Sequence, residues 1–124
     1  MSTDAEELIE RNDAAIAALN EAVERLEELR KGTNLDDRQR FDREIDRATE
    51  QITDLEILGG HLVASTTVID PISPETQERL DILASRIDAA ILNDFKLHAA
   101  FETVQDVISF AGEIGTIIDD HKHA

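Results

Sequence analysis

The sequence predicts an all-α protein, an antiparallel bundle of three long helices, and three observations carry that prediction. Apolar residues recur alternately three and four apart over most of the 124 residues, the period of a helix face and not of a strand. Charged residues make up 32% of the chain and fill the intervening positions, as the solvated faces of helices require. Proline occurs only twice, at Pro71 and Pro74, where one periodic run ends and another begins. With 41% hydrophobic residues the chain can bury a core, and its length fits one domain over residues 1–124.

The first helix spans about 3–31. Thr3 followed by Glu6 is a capping box, and Ile9, Asn12, Ile16, Leu19, Val23 and Leu26 form a heptad seam behind it. Glu7 and Arg11, Glu21 and Arg25, and Glu27 and Lys31 stand one turn apart with the acid first, the favourable order. Gly32 sits where a left-handed residue would stop the helix.

The second helix spans about 34–69. Asn34 is its cap, and Asp36 and Asp37 lie at the positive end of the dipole. Phe41, Ile45, Ala48, Ile52 and Leu55 continue the spacing, and Gly59, Leu62, Thr66 and Ile69 keep it. A loop has no reason to hold phase, so Gly59 and Gly60 are expected inside the helix, as a weak point. The stop is expected at Asp70-Pro71, because the residue before a proline is pushed out of the α region.

The third helix spans about 74–119, restarted by Ser73-Pro74-Glu75. Its seam runs Leu80, Leu83, Ile87, Ala90, Asp94, Leu97, Phe101, Val104, Ile108, Ala111, Gly115 and Ile118, with Asp94 its one charged member. The alternative is a four-helix bundle with a turn at Asn93-Asp94, which makes the helices more nearly equal. No segment reads as a strand.

Charge and composition exclude several classes of function. Twelve basic residues stand against 28 acidic ones, a formal net charge of −16. The acidity is even: residues 3–31 carry nine acids and four bases, 34–70 the same, and 71–124 ten and four. Such a shell disfavours nucleic acid and anionic membranes. Cysteine, Trp and Tyr are absent, which removes disulfides and thiolate chemistry and leaves only four Phe for stacking on bases. The acidic N-terminus is unlike a signal peptide and no apolar run is long enough to span a bilayer, so a cytoplasmic protein is expected.

Three constellations invite chemistry. His61, in the string Gly-Gly-His-Leu-Val-Ala-Ser, lies off the apolar seam. A solvated histidine on a helix of an acidic chain of this length is similar to histidine phosphotransfer domains, which present such a nitrogen to an aspartyl phosphate. Ala64 and Ser65 stand where those domains place a Lys and a Gly, so the resemblance stops at the histidine. Asp94, His98 and Glu102 line one helix face, and imidazole with carboxylate suits divalent metals, but di-iron bundles need Glu-x-x-His pairs and none occurs here. The expectation for Asp94 and His98 is a polar layer that sets register. His121 and His123 stand in a polar tail.

No nucleophile elbow, phosphate loop or paired-carboxylate cleft is present, so no catalytic, cofactor or metal residues and no enzyme activity are expected. The broadest apolar face lies at 101–118, where Phe101, Val104, Ile108, Ala111, Gly115 and Ile118 are joined by Val107, Phe110, Ile114 and Ile117. Something must cover it: the chain itself, folded back, or a second copy. The expected function is that of a non-catalytic acidic interaction or assembly protein, self-associating through its last helix as a homodimer. The alternatives are an immunity- or antitoxin-like neutraliser of a basic partner, and a phosphotransfer module using His61.

Overall fold

The structure, a computed structural model, describes residues 3–64, 67–93 and 99–123. It is an all-α bundle of four helices: α1 (Asp4–Arg30), α2 (Leu35–Leu62), α3 (Pro74–Asn93) and α4 (Ala100–His121). A two-residue antiparallel ladder, β1 (Val68–Ile69) with β2 (Lys122–His123), closes one end. No helix among the described residues is long and apolar enough to cross a membrane.

The starts of the first three helices follow the sequence. Thr3 Oγ1 accepts from the Glu6 N–H at 3.1 Å, and Asn34 Oδ1 accepts from the Asp37 N–H at 2.9 Å. Ser73 Oγ accepts from the Thr76 N–H at 3.1 Å, ahead of Pro74. The end of α1 differs from expectation. Among the described residues no glycine has a positive φ, so Gly32 is not a left-handed stop. The helix unwinds instead through short turns, with the Gly32 and Thr33 N–H groups donating to the Leu29 and Arg30 carbonyls. The Thr33 hydroxyl adds a 2.8 Å bond to Arg30 O, and Asn34 at once caps α2.

Two boundaries also depart from the three-helix expectation. α2 passes through Gly59 and Gly60 as a helix but ends at Leu62, well short of residue 69. The connection beyond it is tied down by other elements: β1 pairs with the chain after α4, the Asp70 N–H donates to His121 O at 2.8 Å, and the Ile72 N–H donates to Asp4 Oδ2 at 3.0 Å. Those bonds satisfy an extended backbone, so helix was not needed to do so. The expected helix over 74–119 is divided, since α3 ends at Asn93 and α4 packs back against it, which one straight helix cannot do. Asp94 of the expected turn at Asn93-Asp94 lies outside the described residues.

Chain direction alternates, so α1 and α2 are antiparallel neighbours, as are α3 and α4. The parallel neighbours are α1 with α3 and α2 with α4, and α1 also touches α4 across the middle. Leu8, Leu19 and Leu26 of α1, Phe41 and Leu55 of α2, Leu80 and Leu83 of α3, and Val104, Ala111 and Ile118 of α4 are buried at the centre. In α1 the buried stripe is Leu8, Asn12, Ala15, Ala18, Leu19, Ala22 and Leu26, while Ile9, Ile16 and Val23 sit half-buried at its flank. The alanines turn inward because α1 packs on three helices, and small residues permit that close approach.

Candidate functional site

α2 and α4 run side by side, and the character of their joint changes along its length. Near their N-termini it is closed. Phe41 and Phe101 pack with their rings tilted by 49° and centroids 4.7 Å apart, and the Arg40 guanidinium lies 4.0 Å from the Phe101 ring centre. One turn on, the Gln105 amide donates to the buried Glu44 Oε1 at 3.1 Å.

Toward their C-termini the joint opens into a groove of about 750 Å³. Gly115 sets its base: a Cβ there would stand 2.9 Å from Leu55 Cδ2, so any larger residue would push the Leu55 side chain aside. Gly112 behaves differently. A Cβ there would meet nothing closer than Gln51 Oε1 at 3.7 Å, so its missing side chain leaves a notch. Leu58 and Ile117 add apolar lining. Asp54, Glu113, Asp119 and Asp120 stand around this floor with His61, Arg79 and Lys122. Arg79 lies 3.7 Å from Glu113 and Lys122 lies 3.2 Å from Asp119, so both cations are already engaged by carboxylates. The rim therefore carries net negative charge over a small apolar floor.

The residues expected to form an intermolecular face occupy varied places. Val104, Ala111 and Ile118 are wholly buried in the bundle's own core. Ile108 is half-buried against that core, Phe101 against Phe41, and Gly115 against Leu55. The wide apolar face of the last helix is thus covered largely by α1, α2 and α3 of the same chain. His61 is exposed on the groove wall, in the last turn of α2, among carboxylates that repel a phosphate. Glu102 is exposed on α4, while Asp94 and His98 lie outside the described residues. The His121 Nδ1 donates to Ile117 O at 2.7 Å. Among the described residues no group of three His, Cys, Asp or Glu is placed to hold a metal ion.

Sequence reasoning did not foresee a polar cluster joining α1 to α3. Arg11 bonds Glu7 at 2.9 Å and also Asp81, and the Gln77 amide donates to Glu7 Oε1 at 3.0 Å. The bond from Gln77, with those from Arg11, holds the Glu7 carboxyl below its ordinary pKa against the opposing effects of burial and Asp81. Burial depresses the Arg11 pKa, but its bonds to Asp81 and Glu7 outweigh that and raise it. The one-turn pairing of Glu7 with Arg11 was legible; the partners on α3 come from the packing. No family model matches this chain, and no curated protein or solved structure matches it either.

Proposed function

We propose that the chain is a non-catalytic acidic interaction protein whose α2–α4 groove receives a cationic amphipathic segment of a partner protein. The observation that carries this reading is the groove itself, with an apolar floor at Leu58, Gly112 and Ile117 beneath the carboxylates of Asp54, Glu113, Asp119 and Asp120. An amphipathic helix lays apolar side chains into such a floor while Lys or Arg on its flanks meets the rim. The overall charge of −16 adds long-range attraction for a basic partner. The same acidity makes His61 a poor receiver of phosphate.

The test is titration of a fluorescent Lys/Leu amphipathic peptide against the wild type and Gly112→Leu. The substitution fills the notch at unchanged net charge. Specific docking predicts at least about tenfold weaker binding to Gly112→Leu, with affinity falling as salt rises. Equal affinity for both proteins would show that the peptide senses only bulk charge, and would sink the groove as the site.

A further inference from the structure

The inward face of α3 carries Leu80, Leu83, Ile87 and Ile91, all buried against α1 and α4. Its outward face repeats the pattern. Glu78, Ile82, Ser85, Ala89 and Leu92 follow one another at alternate spacings of four and three, and every one of them is exposed. Ile82 keeps 43% and Leu92 77% of its surface in solvent. A helix in a monomer needs one apolar face, and this one also leaves Ile82, Ala89 and Leu92 in solvent on the opposite side, with Glu78 and Ser85 in the same stripe. Charge is also thinnest here: Glu75, Glu78, Asp81 and Asp88 stand against Arg79 and Arg86, whereas α4 holds five acids and neither Lys nor Arg.

The surface holds a shallow depression beside Ile82, of about 330 Å³, framed by Glu78, Asp81, Ile82, Ser85 and Arg86. In a parallel coiled coil each core knob enters a hole made by four residues of the facing helix. With Ile82 at an a position, that hole consists of Glu78, Asp81, Ile82 and Ser85, which are four of the five residues framing the depression. We infer that the outer face of α3 is a dimerisation seam, and that the α3 of a second copy packs on it parallel and in register.

Charge selects that orientation. In the parallel arrangement Asp81 occupies g and Arg86 occupies e, so each Asp81 comes beside the Arg86 of the other copy, twice by symmetry. Asp81 is also bonded by Arg11 of its own copy, and Arg86 lies over its own Phe110. An antiparallel copy brings Arg86 against Arg86 across the axis. The small Ser85 and Ala89 allow close approach between the Ile82 and Leu92 layers. Two features oppose pairing: the −16 charge on each copy and Glu78 at a d position. Both are like-charge terms, so salt should strengthen this dimer. It would weaken the groove's hold on a cationic peptide. The two surfaces are separate, and either reading can fail without the other.

The test follows the mass of the full chain by sedimentation across protein concentration and salt. The wild type should pass from one copy to two as concentration rises, at lower concentration in high salt. Ile82→Glu and Leu92→Glu should each weaken the dimer at least about tenfold while leaving thermal unfolding of the monomer nearly unchanged, because both positions are exposed. Glu78→Leu should tighten it. The chain has no cysteine, so Ser85→Cys reports orientation cleanly. Oxidation should join two Ser85→Cys chains to each other. A chain that stays monomeric at every salt, or a dimer indifferent to Ile82→Glu and Leu92→Glu, would overturn the inference. So would cross-linking of Ser85→Cys to Ala89→Cys without cross-linking of Ser85→Cys to itself.

Discussion

Gly59 and Gly60 are adjacent in α2, yet the structure gives them opposite responses to alanine. Gly60 is exposed and helical, and an added Cβ meets nothing within 4 Å. Gly60→Ala should therefore stabilise the protein by about 0.5–1 kcal/mol through lower chain entropy in the unfolded state. A chain of 124 residues has an unfolding entropy of about 0.26 kcal/mol/K, so the gain is about 2–4 °C in Tm. At Gly59 a Cβ would stand 2.9 Å from Asn12 Nδ2, closer than such atoms approach. Asn12 is only 1% exposed, and that same Nδ2 donates to Leu55 O at 2.9 Å. Alanine must push the amide away, and a buried donor without its acceptor costs about 1–3 kcal/mol. After the helix gain is set against it, Gly59→Ala should lose about 0.5–2 kcal/mol, or roughly 2–8 °C. Thermal and urea unfolding of both variants, and of Gly59→Ala in an Asn12→Ala background, measure the effect. In that background the penalty should vanish and the small gain return. If Gly59→Ala raises Tm as Gly60→Ala does, or behaves alike in both backgrounds, the steric argument fails.

Ile108 packs half-buried against the core, so Ile108→Asp should lower stability by roughly 2–3 kcal/mol by stranding a carboxylate there. A melting temperature equal to the wild type would show that side to be open surface. Glu7 supplies a pH-dependent effect. Its folded pKa lies below the unfolded one, so its contribution is present above the unfolded value and is lost as pH falls through the folded value. Gln77→Ala removes the leading cause of that depression, and should cost more stability near about pH 7 than near about pH 3. An equal loss at both, by urea unfolding, would mean the amide does not favour the carboxylate.

Local chemistry was readable from the sequence because it acts over a few residues. Thr3, Asn34 and Ser73 cap the helices they were expected to cap, and the break at Asp70-Pro71 falls between two helices. The apolar period marks the helical runs, and the charge pattern marks their solvated faces. Phase alone could not locate the end of α2. Leu62 and Ile69 fit one helical stripe, but Ile69 also packs on the core from an extended strand once β2 offers its backbone bonds. The division of α3 from α4 stood in the sequence only as an alternative, because a seam keeps its spacing whether the chain continues straight or turns back; the four packed helices decide for it.

The candidate surfaces were legible only in part. The sequence marked 101–118 as a broad apolar face with small residues at Ala111, Gly112 and Gly115, and could say that it must be covered. Only the fold decided that α1, α2 and α3 supply most of that cover. It also decided that Gly115 meets Leu55 while Gly112 opens a notch, since identical residues differ only in what stands opposite. The spacing named the inward face of α3, and Leu80, Leu83 and Ile87 are buried as expected, but the second stripe of Ile82, Ser85, Ala89 and Leu92 was not singled out. By itself the sequence determined the helical period, the caps that start the first three helices and most of the residues that avoid water. The tertiary structure decided which helix covers which side, because burial is a property of pairs of surfaces far apart in the chain.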